Sequence, residues 1–212
     1  MTQRIQSYGY GVKSEQDSLK PVSFTRRELK SDDVLIEIMY CGVCHTDIHF
    51  AHNDFGGTRY PLVPGHEIIG KVSQVGDQVT QFSQGDIVGV GCFVDSCRSC
   101  RSCQEGHEQY CEAGVTATYN AEDKYGDITK GGYASNIVVR EEFVLRVPES
   151  LDPAGAAPLL CAGITTYSPL KHWKVGKGQK VGVVGLGGLG HMALKLAHSM
   201  GAHVVQFTRS PG

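Results

Sequence analysis

Residues 180–207 read KVGVVGLGGLGHMALKLAHSMGAHVVQF, and the order of textures in this stretch decides the fold of the second part of the chain. Lys180 leads into an apolar strand at 181–184, and a glycine cluster follows. From 189 to 200 the residues Leu189, Met192, Ala193, Leu196, Ala197 and Met200 recur at the spacing of one helical face. Gly201 suits a C-cap, and 204–207 reads as a second buried strand. Strand, helix and strand in so short a span make a βαβ unit. Between its first strand and its helix, Gly185-Leu186-Gly187-Gly188-Leu189-Gly190 is a G-x-G-x-x-G. In a Gly-rich chain such a match can be a simple tight turn. Here the flanking elements are the ones the mechanism needs, because amides at the helix N-terminus then meet a pyrophosphate. A ribose with a free 2′-hydroxyl is normally met by Asp or Glu after the second strand, and 203–212 contains neither. Thr208, Arg209 and Ser210 stand there instead, a cation and two hydroxyls suited to a 2′-phosphate, so NADP is expected over NAD.

Upstream, 153–170 is Ala-rich and helix-like, with Pro153 near a helix start and a second short helix around 164–170. Before Pro148 the texture is different. Short apolar strands are expected at 34–39, 68–75, 87–90, 135–139 and 143–147, punctuated by Gly65, Gly70, Gly76, Gly85, Gly89 and Gly91. That pattern predicts a Gly-rich, barrel-like all-β domain, so the fold class is mixed, β followed by α/β, with a boundary near residue 150.

Composition narrows the function. The 212 residues carry 20 Lys+Arg against 22 Asp+Glu and no basic run, so a nucleic-acid partner has no electrostatic footprint. No apolar run is long enough for a signal peptide or a membrane span, which predicts a soluble, cytoplasmic protein without a membrane partner. Clustered cysteines in a reducing compartment point to metal ligation rather than disulfides.

Four of the 8 cysteines, Cys97, Cys100, Cys103 and Cys111, fall in a stretch at 94–118 that has no apolar periodicity. Four thiolates there suit a closed tetrahedral zinc whose binding energy folds the lobe. Arg98 and Arg101, or backbone donors beside them, are placed to offset the negative charge of such a site. An iron–sulfur cluster is the rival, but Cys111 is distant and followed by Glu112 rather than proline. A second set is scattered: Cys44 in Cys44-His45-Thr46-Asp47, His66 in Gly65-His66-Glu67, and Cys161. Each alone reads as an ordinary core residue. Together they offer two thiolates and an imidazole, a catalytic zinc's three ligands with one position open.

These residues resemble the zinc-containing medium-chain dehydrogenase/reductase (alcohol dehydrogenase) family. The motifs run nearly end to end: CGVCHTD (41–47), PGHEIIGKVSQVGDQV (64–79), GDIVGVG (85–91), the four-cysteine lobe, GGYA (131–134), PLLCAGITTYSPL (158–170) and VGVVGLGGLGHMALKLA (181–197). The closest subgroup is that of cinnamyl-alcohol dehydrogenases and microbial NADP-dependent aldehyde reductases. The resemblance implies a GroES-like zinc-binding catalytic domain at 1–150, with its structural zinc lobe at about 94–118, and the first part of a Rossmann NADP-binding domain at 151–212. It implies two zinc ions and hydride transfer between NADP(H) and a primary alcohol or aldehyde. Cys44, His66 and Cys161 would hold the catalytic zinc, with Glu67 as an alternate ligand. Asp47 would fix the His66 tautomer. Thr46 would hydrogen-bond the substrate oxygen, His49 and Asp54 would relay its proton, and Thr166 would face the nicotinamide. For His49 and Asp54 a solvated loop pair is an equal alternative.

Where plant cinnamyl-alcohol enzymes carry a large aromatic before a Tyr-Asn pair, this chain has Ala117-Thr118-Tyr119-Asn120, so a broad range of aliphatic and aromatic aldehydes is expected. A different class, a non-catalytic zinc-stabilised GroES-like binding module, needs only the structural metal. The resemblance also implies a homodimer in the full-length form. After residue 150 there is room for only one βαβ unit, whereas a whole dinucleotide fold has two halves. The expectation is therefore a C-terminally truncated dehydrogenase with an incomplete cofactor pocket and little turnover by itself.

Overall fold

The computed structural model describes residues 4–209, which divide into two compact units, one ending at Ala157 and the other beginning at Pro158. In the first unit, strands β1 (Ile5–Gly11) and β2 (Lys20–Arg26) form an antiparallel hairpin. β3 (Asp33–Cys41) follows, then the short helix α1 (His45–Ala51), β4 (Ile68–Val75) and β5 (Ile87–Val90). β6 (Phe93–Asp95) and β7 (Thr116–Ala117) pair at the base of a lobe that contains the four-residue helix α2 (Arg101–Gln104). β8 (Asn136–Arg140), β9 (Leu145–Arg146) and the one-turn helix α3 (Pro153–Ala156) close the unit.

The main sheet is antiparallel with the order β8-β3-β4-β5-β9. Alternate residues supply its core: Val34 and Ile36, Ile68 and Val72, Val88 and Val90, Ile137 and Val139, joined by Phe82 and Val144. Period-two alternation of β-branched residues puts one face of each strand inside. The hairpin is tied on by bridges between Gly9 and Ala134 and between Val12 and Leu62. Val12, Leu62 and Tyr119 form a second, smaller core.

The strands expected at 68–75 and 87–90 form over those residues. The one expected at 143–147 does not run its length. Residues Glu141–Phe143 form a 3-10 turn and only Leu145–Arg146 is strand. The cause is Glu141, whose carboxylate accepts the backbone N–H groups of Thr80, at 2.6 Å, and Gln81 and so holds the turn. The hairpin β1–β2 and helix α1 were not expected. IQSYGYG and KPVSFTR carry too many polar, Gly and Pro positions to read as strands, and seven residues are too few for a helical period to show.

In the second unit α4 (Ala162–His172) precedes a parallel pair, β10 (Lys180–Val184) and β11 (His203–Phe207), connected through α5 (Gly188–Ser199). The Ala-rich stretch is not continuous helix. Asp152 caps α3 through the Gly155 N–H at 2.8 Å, but Pro158 has no N–H to continue the ladder, and a 3-10 turn over Ala157–Leu160 intervenes before α4. Among the described residues no helix is long and apolar enough to cross a membrane.

Candidate metal and dinucleotide sites

Cys44 is the N-cap of α1, and Asp47 is the third residue of that helix. Asp47 Oδ2 accepts the Cys44 N–H at 3.0 Å, the reciprocal half of a capping box, which puts thiol and carboxylate at one helix end. Asp47 is 2% exposed and fully satisfied. Its Oδ1 accepts the Gly65 N–H and His66 Nδ1, each at 3.0 Å, and its Oδ2 also accepts the Tyr133 hydroxyl at 3.0 Å. Burial pushes this carboxyl up, but the hydrogen bonds from His66, Cys44 and Gly65 outweigh it and hold Asp47 below the ordinary aspartate range. With Nδ1–H donated to a carboxylate, the lone pair of His66 is on Nε2.

Glu67 is buried beside His66. The Gly42 N–H donates to the Glu67 carbonyl at 2.9 Å, and a Cβ on Gly42 would run into Glu67 Oε2, so only glycine leaves room for this carboxylate. The ligand atoms of Cys44, His66 and Glu67 lie within 4.8 Å of one another. A thiol, an imidazole with its outer nitrogen committed, and a carboxylate at that separation are a donor set that fits zinc. Cys161 is the N-cap of α4 in the second unit.

Thr46 and His49 are three residues apart on α1, hence on neighbouring positions of one face, and Thr46 is half-buried. His49 Nδ1 is 2.8 Å from Asp54 Oδ2 at the exposed end of the helix. The His49 ring packs 4.8 Å from that of His45 and 4.9 Å from that of Phe55.

Two tyrosines complete the surroundings, and neither is assigned a role by the sequence motifs that contain them. The Tyr119 ring lies 5.7 Å from that of His66, and Tyr133 carries the donor to Asp47. Burial, then the Asp47 charge, pushes both phenols up, so Tyr133 stays a donor. Tyr133 reaches Asp47 because residues 131–133 are laced to the segment before His66. The N–H groups of Gly131, Gly132 and Tyr133 donate to the carbonyls of Val63, Gly65 and Pro64 at 2.7, 2.8 and 2.9 Å. Gly65 has φ +105, and a Cβ there would stand 2.7 Å from Tyr133 Cδ1.

In the lobe, the sulfurs of Cys97, Cys100, Cys103 and Cys111 also lie within 4.8 Å of one another. Cys97 Sγ and Cys103 Sγ are 4.0 Å apart, close to the ~3.8 Å edge of a tetrahedron with zinc–sulfur bonds of ~2.3 Å. The arginines do not face the sulfurs. Arg98, at φ +58, directs its guanidinium to Asp95 at 3.2 Å, and Arg101 pairs with Glu105 at 2.7 Å. Backbone N–H groups do the offsetting: Cys97 N donates to Cys111 Sγ at 3.4 Å, Cys100 N to Cys97 Sγ at 3.4 Å, and Glu112 N to Cys100 Sγ at 3.5 Å. Donors from the backbone of Ser99 and Cys100 bring the Cys97 thiol down to about 6.

In the second unit the glycines divide by role. Gly185 has φ +87 and opens the turn, and a Cβ on Gly190 would collide with the Gly185 carbonyl. Gly187 and Gly188, at the start of α5, face open space. Beside them a hollow of about 540 Å3 is lined by Gly185, Leu186, Phe207, Thr208 and Arg209. Ser210 lies outside the described residues. Leu189 is in the first turn of α5. The Thr166 hydroxyl donates back to the Ala162 carbonyl at 2.8 Å, so its proton is engaged within α4.

Residues 30–149 match the alcohol dehydrogenase GroES-like domain family. Among curated relatives, aldehyde reductase YahK of Escherichia coli is 57% identical over 203 residues, covering 94% of this chain and 58% of that protein. NADP-dependent alcohol dehydrogenase C 1 of Mycolicibacterium smegmatis is 54% identical over 202 residues, covering 95% of this chain and 58% of that protein. Among solved structures, a CAD from Helicobacter pylori complexed with NADP(H) superposes with TM-score 0.95 at 49% identity, covering 98% of this chain and 60% of the other. The chain thus spans about 58% of the length of the curated relatives it matches.

Proposed function

Because this chain belongs to the alcohol dehydrogenase family with a GroES-like domain, we propose that it serves hydride transfer between NADP(H) and a primary alcohol or aldehyde of broad aliphatic or aromatic type. The observation that carries the reading is the buried His66, whose Nδ1 is locked by Asp47, which leaves Nε2 to the donor set it forms with Cys44 and Glu67. Cys44, His66 and Cys161 would hold a catalytic zinc, with Glu67 as the alternate carboxylate, and Cys97, Cys100, Cys103 and Cys111 a structural one. When bound, the catalytic zinc supplies a Lewis acid and NADPH the hydride.

The chain's own residues do the rest. Asp47 keeps His66 in one tautomer and orientation. Thr46 gives its hydroxyl proton to the substrate oxygen during reduction and recovers one through His49, which Asp54 orients at the exposed end of α1. Gly187, Gly188 and Leu189 present backbone N–H groups to the pyrophosphate, while Gly185 and Gly190 shape the turn. Thr208 and Arg209, with Ser210 next in sequence, receive the 2′-phosphate. Thr166 meets the nicotinamide through its methyl group, since its hydroxyl proton is engaged in α4. The division of labour follows the two units, the first catalytic and the second cofactor-binding. We further assign the active form to a cytoplasmic homodimer.

The test is NADPH-dependent reduction of a panel of small aldehydes, with and without a zinc chelator, on this chain and on any longer polypeptide that contains it, together with metal analysis. NADPH oxidation by the longer polypeptide that the chelator stops, with zinc in both clusters of either form, is expected. Turnover indifferent to chelation, or zinc in the four-cysteine cluster only, overturns the reading.

A further inference from the structure

A hollow of about 330 Å3 opens in the first unit between β2 and the segment 123–130. It contains none of the residues assigned above to metal, substrate or dinucleotide. Six charged side chains line it, and four of them neutralise one another. Arg4 grips Asp127 with two contacts of 2.8 and 3.0 Å, and Arg27 pairs with Asp33 outside the lining and lies 3.7 Å from Asp123 within it. Arg26 and Lys130 are left over. Neither has a carboxylate within ion-pair distance among the described residues, and both stand against the Phe24 ring, at 5.1 and 5.8 Å from its centroid.

Arg26 is the more constrained of the two. Its Nη1 and Nη2 donate to the carbonyls of Lys130 at 2.7 Å and Gly131 at 2.9 Å, which fixes the guanidinium plane. Its Nε is buried and has no partner among the described residues. A buried donor left unmade is costly, and more so on a charged group. Burial pulls the Arg26 guanidinium down, to about 9, and burial together with the Arg26 charge lowers the Lys130 ammonium, with Asp127 opposing. Two like charges lining one hollow are stabilised together by a group that carries negative charge.

We propose that Arg26 and Lys130 form a binding site for a small molecule bearing an anionic oxygen group, a carboxylate or a phosphate. The charged group meets the Lys130 ammonium beside the Arg26 guanidinium, whose Nη groups stay on the backbone carbonyls. Val94, Ile137 and Val138 give the hollow an apolar wall against which the body of an organic acid packs.

The experiment is NMR titration of the zinc-loaded chain with inorganic phosphate and, separately, with benzoate, against sodium chloride at equal ionic strength. Saturable shifts of the amides of residues 24–26 and 128–131 with either probe are expected, weakened about ten-fold by Lys130→Gln, the loss of one charge-assisted contact. Stronger binding of phosphate identifies the oxyanion source, and stronger binding of benzoate the organic acid. Lys130→Gln removes only a half-exposed side chain that no structural hydrogen bond uses, so it folds. Shifts that do not saturate, that chloride reproduces, or that Lys130→Gln leaves unchanged overturn the site.

Discussion

His66 Nδ1 and Tyr133 Oη approach opposite oxygens of the same carboxylate, each at 3.0 Å, so the Asp47 side chain is pinned from two sides. A carboxylate held this way cannot rotate without breaking a buried hydrogen bond, and the His66 ring inherits that rigidity.

Asp47→Asn removes the charge and turns an NH2 group towards existing donors. Zinc affinity at the Cys44–His66 cluster is expected to fall about ten- to a hundred-fold. Metal analysis after graded chelation should show this zinc leaving early while the four-cysteine zinc stays. Equal loss from both clusters contradicts the prediction.

Cys103→Ser breaks the lobe cluster. Because α2 is a single turn and β6–β7 a minimal pair, a metal held by the four sulfurs would do most of the ordering of residues 96–113. Limited proteolysis with mass spectrometry should locate new cuts there and none in β3 or β4. An uncut lobe would show that packing suffices.

Gly190→Ala and Gly187→Ala should separate folding from binding. The first drives a methyl into the Gly185 carbonyl and is expected to cost about 1–3 kcal/mol, read as a fall in Tm. The second points into open space, leaving Tm unchanged while weakening NADPH binding. The reverse pattern would put the dinucleotide elsewhere.

Arg209→Asp places a negative charge where the 2′-phosphate is proposed and a ribose hydroxyl partner where none stands. The ratio of NADPH to NADH affinity, by fluorescence titration, should drop at least ten-fold, about 1.4 kcal/mol. An unchanged ratio removes Arg209 from the cofactor site.

Glu142 carries a pH signature. Burial pushes its carboxyl up, but hydrogen bonding to Arg140 through contacts of 3.1 Å more than reverses this, leaving it below the ordinary value of 4.5. A depressed carboxyl stabilises fully above the unfolded value and loses that contribution as pH falls through the folded one. Wild type should therefore exceed Glu142→Gln in Tm at pH 6, and the gap should close as pH drops below about 4. A gap that persists in acid would mean that the charge is not the cause.

What the sequence revealed follows from how local each feature is. The four lobe cysteines and the βαβ unit are written within short spans, so spacing and periodicity expose them. His66 stands out as a ligand type, but its pairing with Asp47, 19 residues away, was visible only through resemblance to a family. Tyr133 is 86 residues from Asp47, and nothing in GGYA announces a hydroxyl aimed at a carboxylate; the pairing exists because residues 131–133 lace onto 63–65. Arg98 shows the converse. Its place between two ligands suggested compensation by arginine charge or by nearby backbone donors; the guanidinium pairs with Asp95, and it is backbone N–H groups that serve the sulfurs.

The lacing of 131–133 onto 63–65 also sets where the chain tolerates insertion or deletion. Upstream, the turn at Gly126, with φ +83 and its N–H on the Asp123 carbonyl, forms the tip of a small loop closed by the Glu122–Ile128 bridge. Residues added at that tip lengthen the loop and leave its stem in register. One residue added or lost between Thr129 and Tyr133 would slide the rungs, move the phenol away from Asp47 and bring a side chain to the place of Gly131, where a Cβ would strike the carbonyls of Pro64 and Gly65. Library designers seeking new loop lengths can work at 124–126 and should leave 129–133 alone.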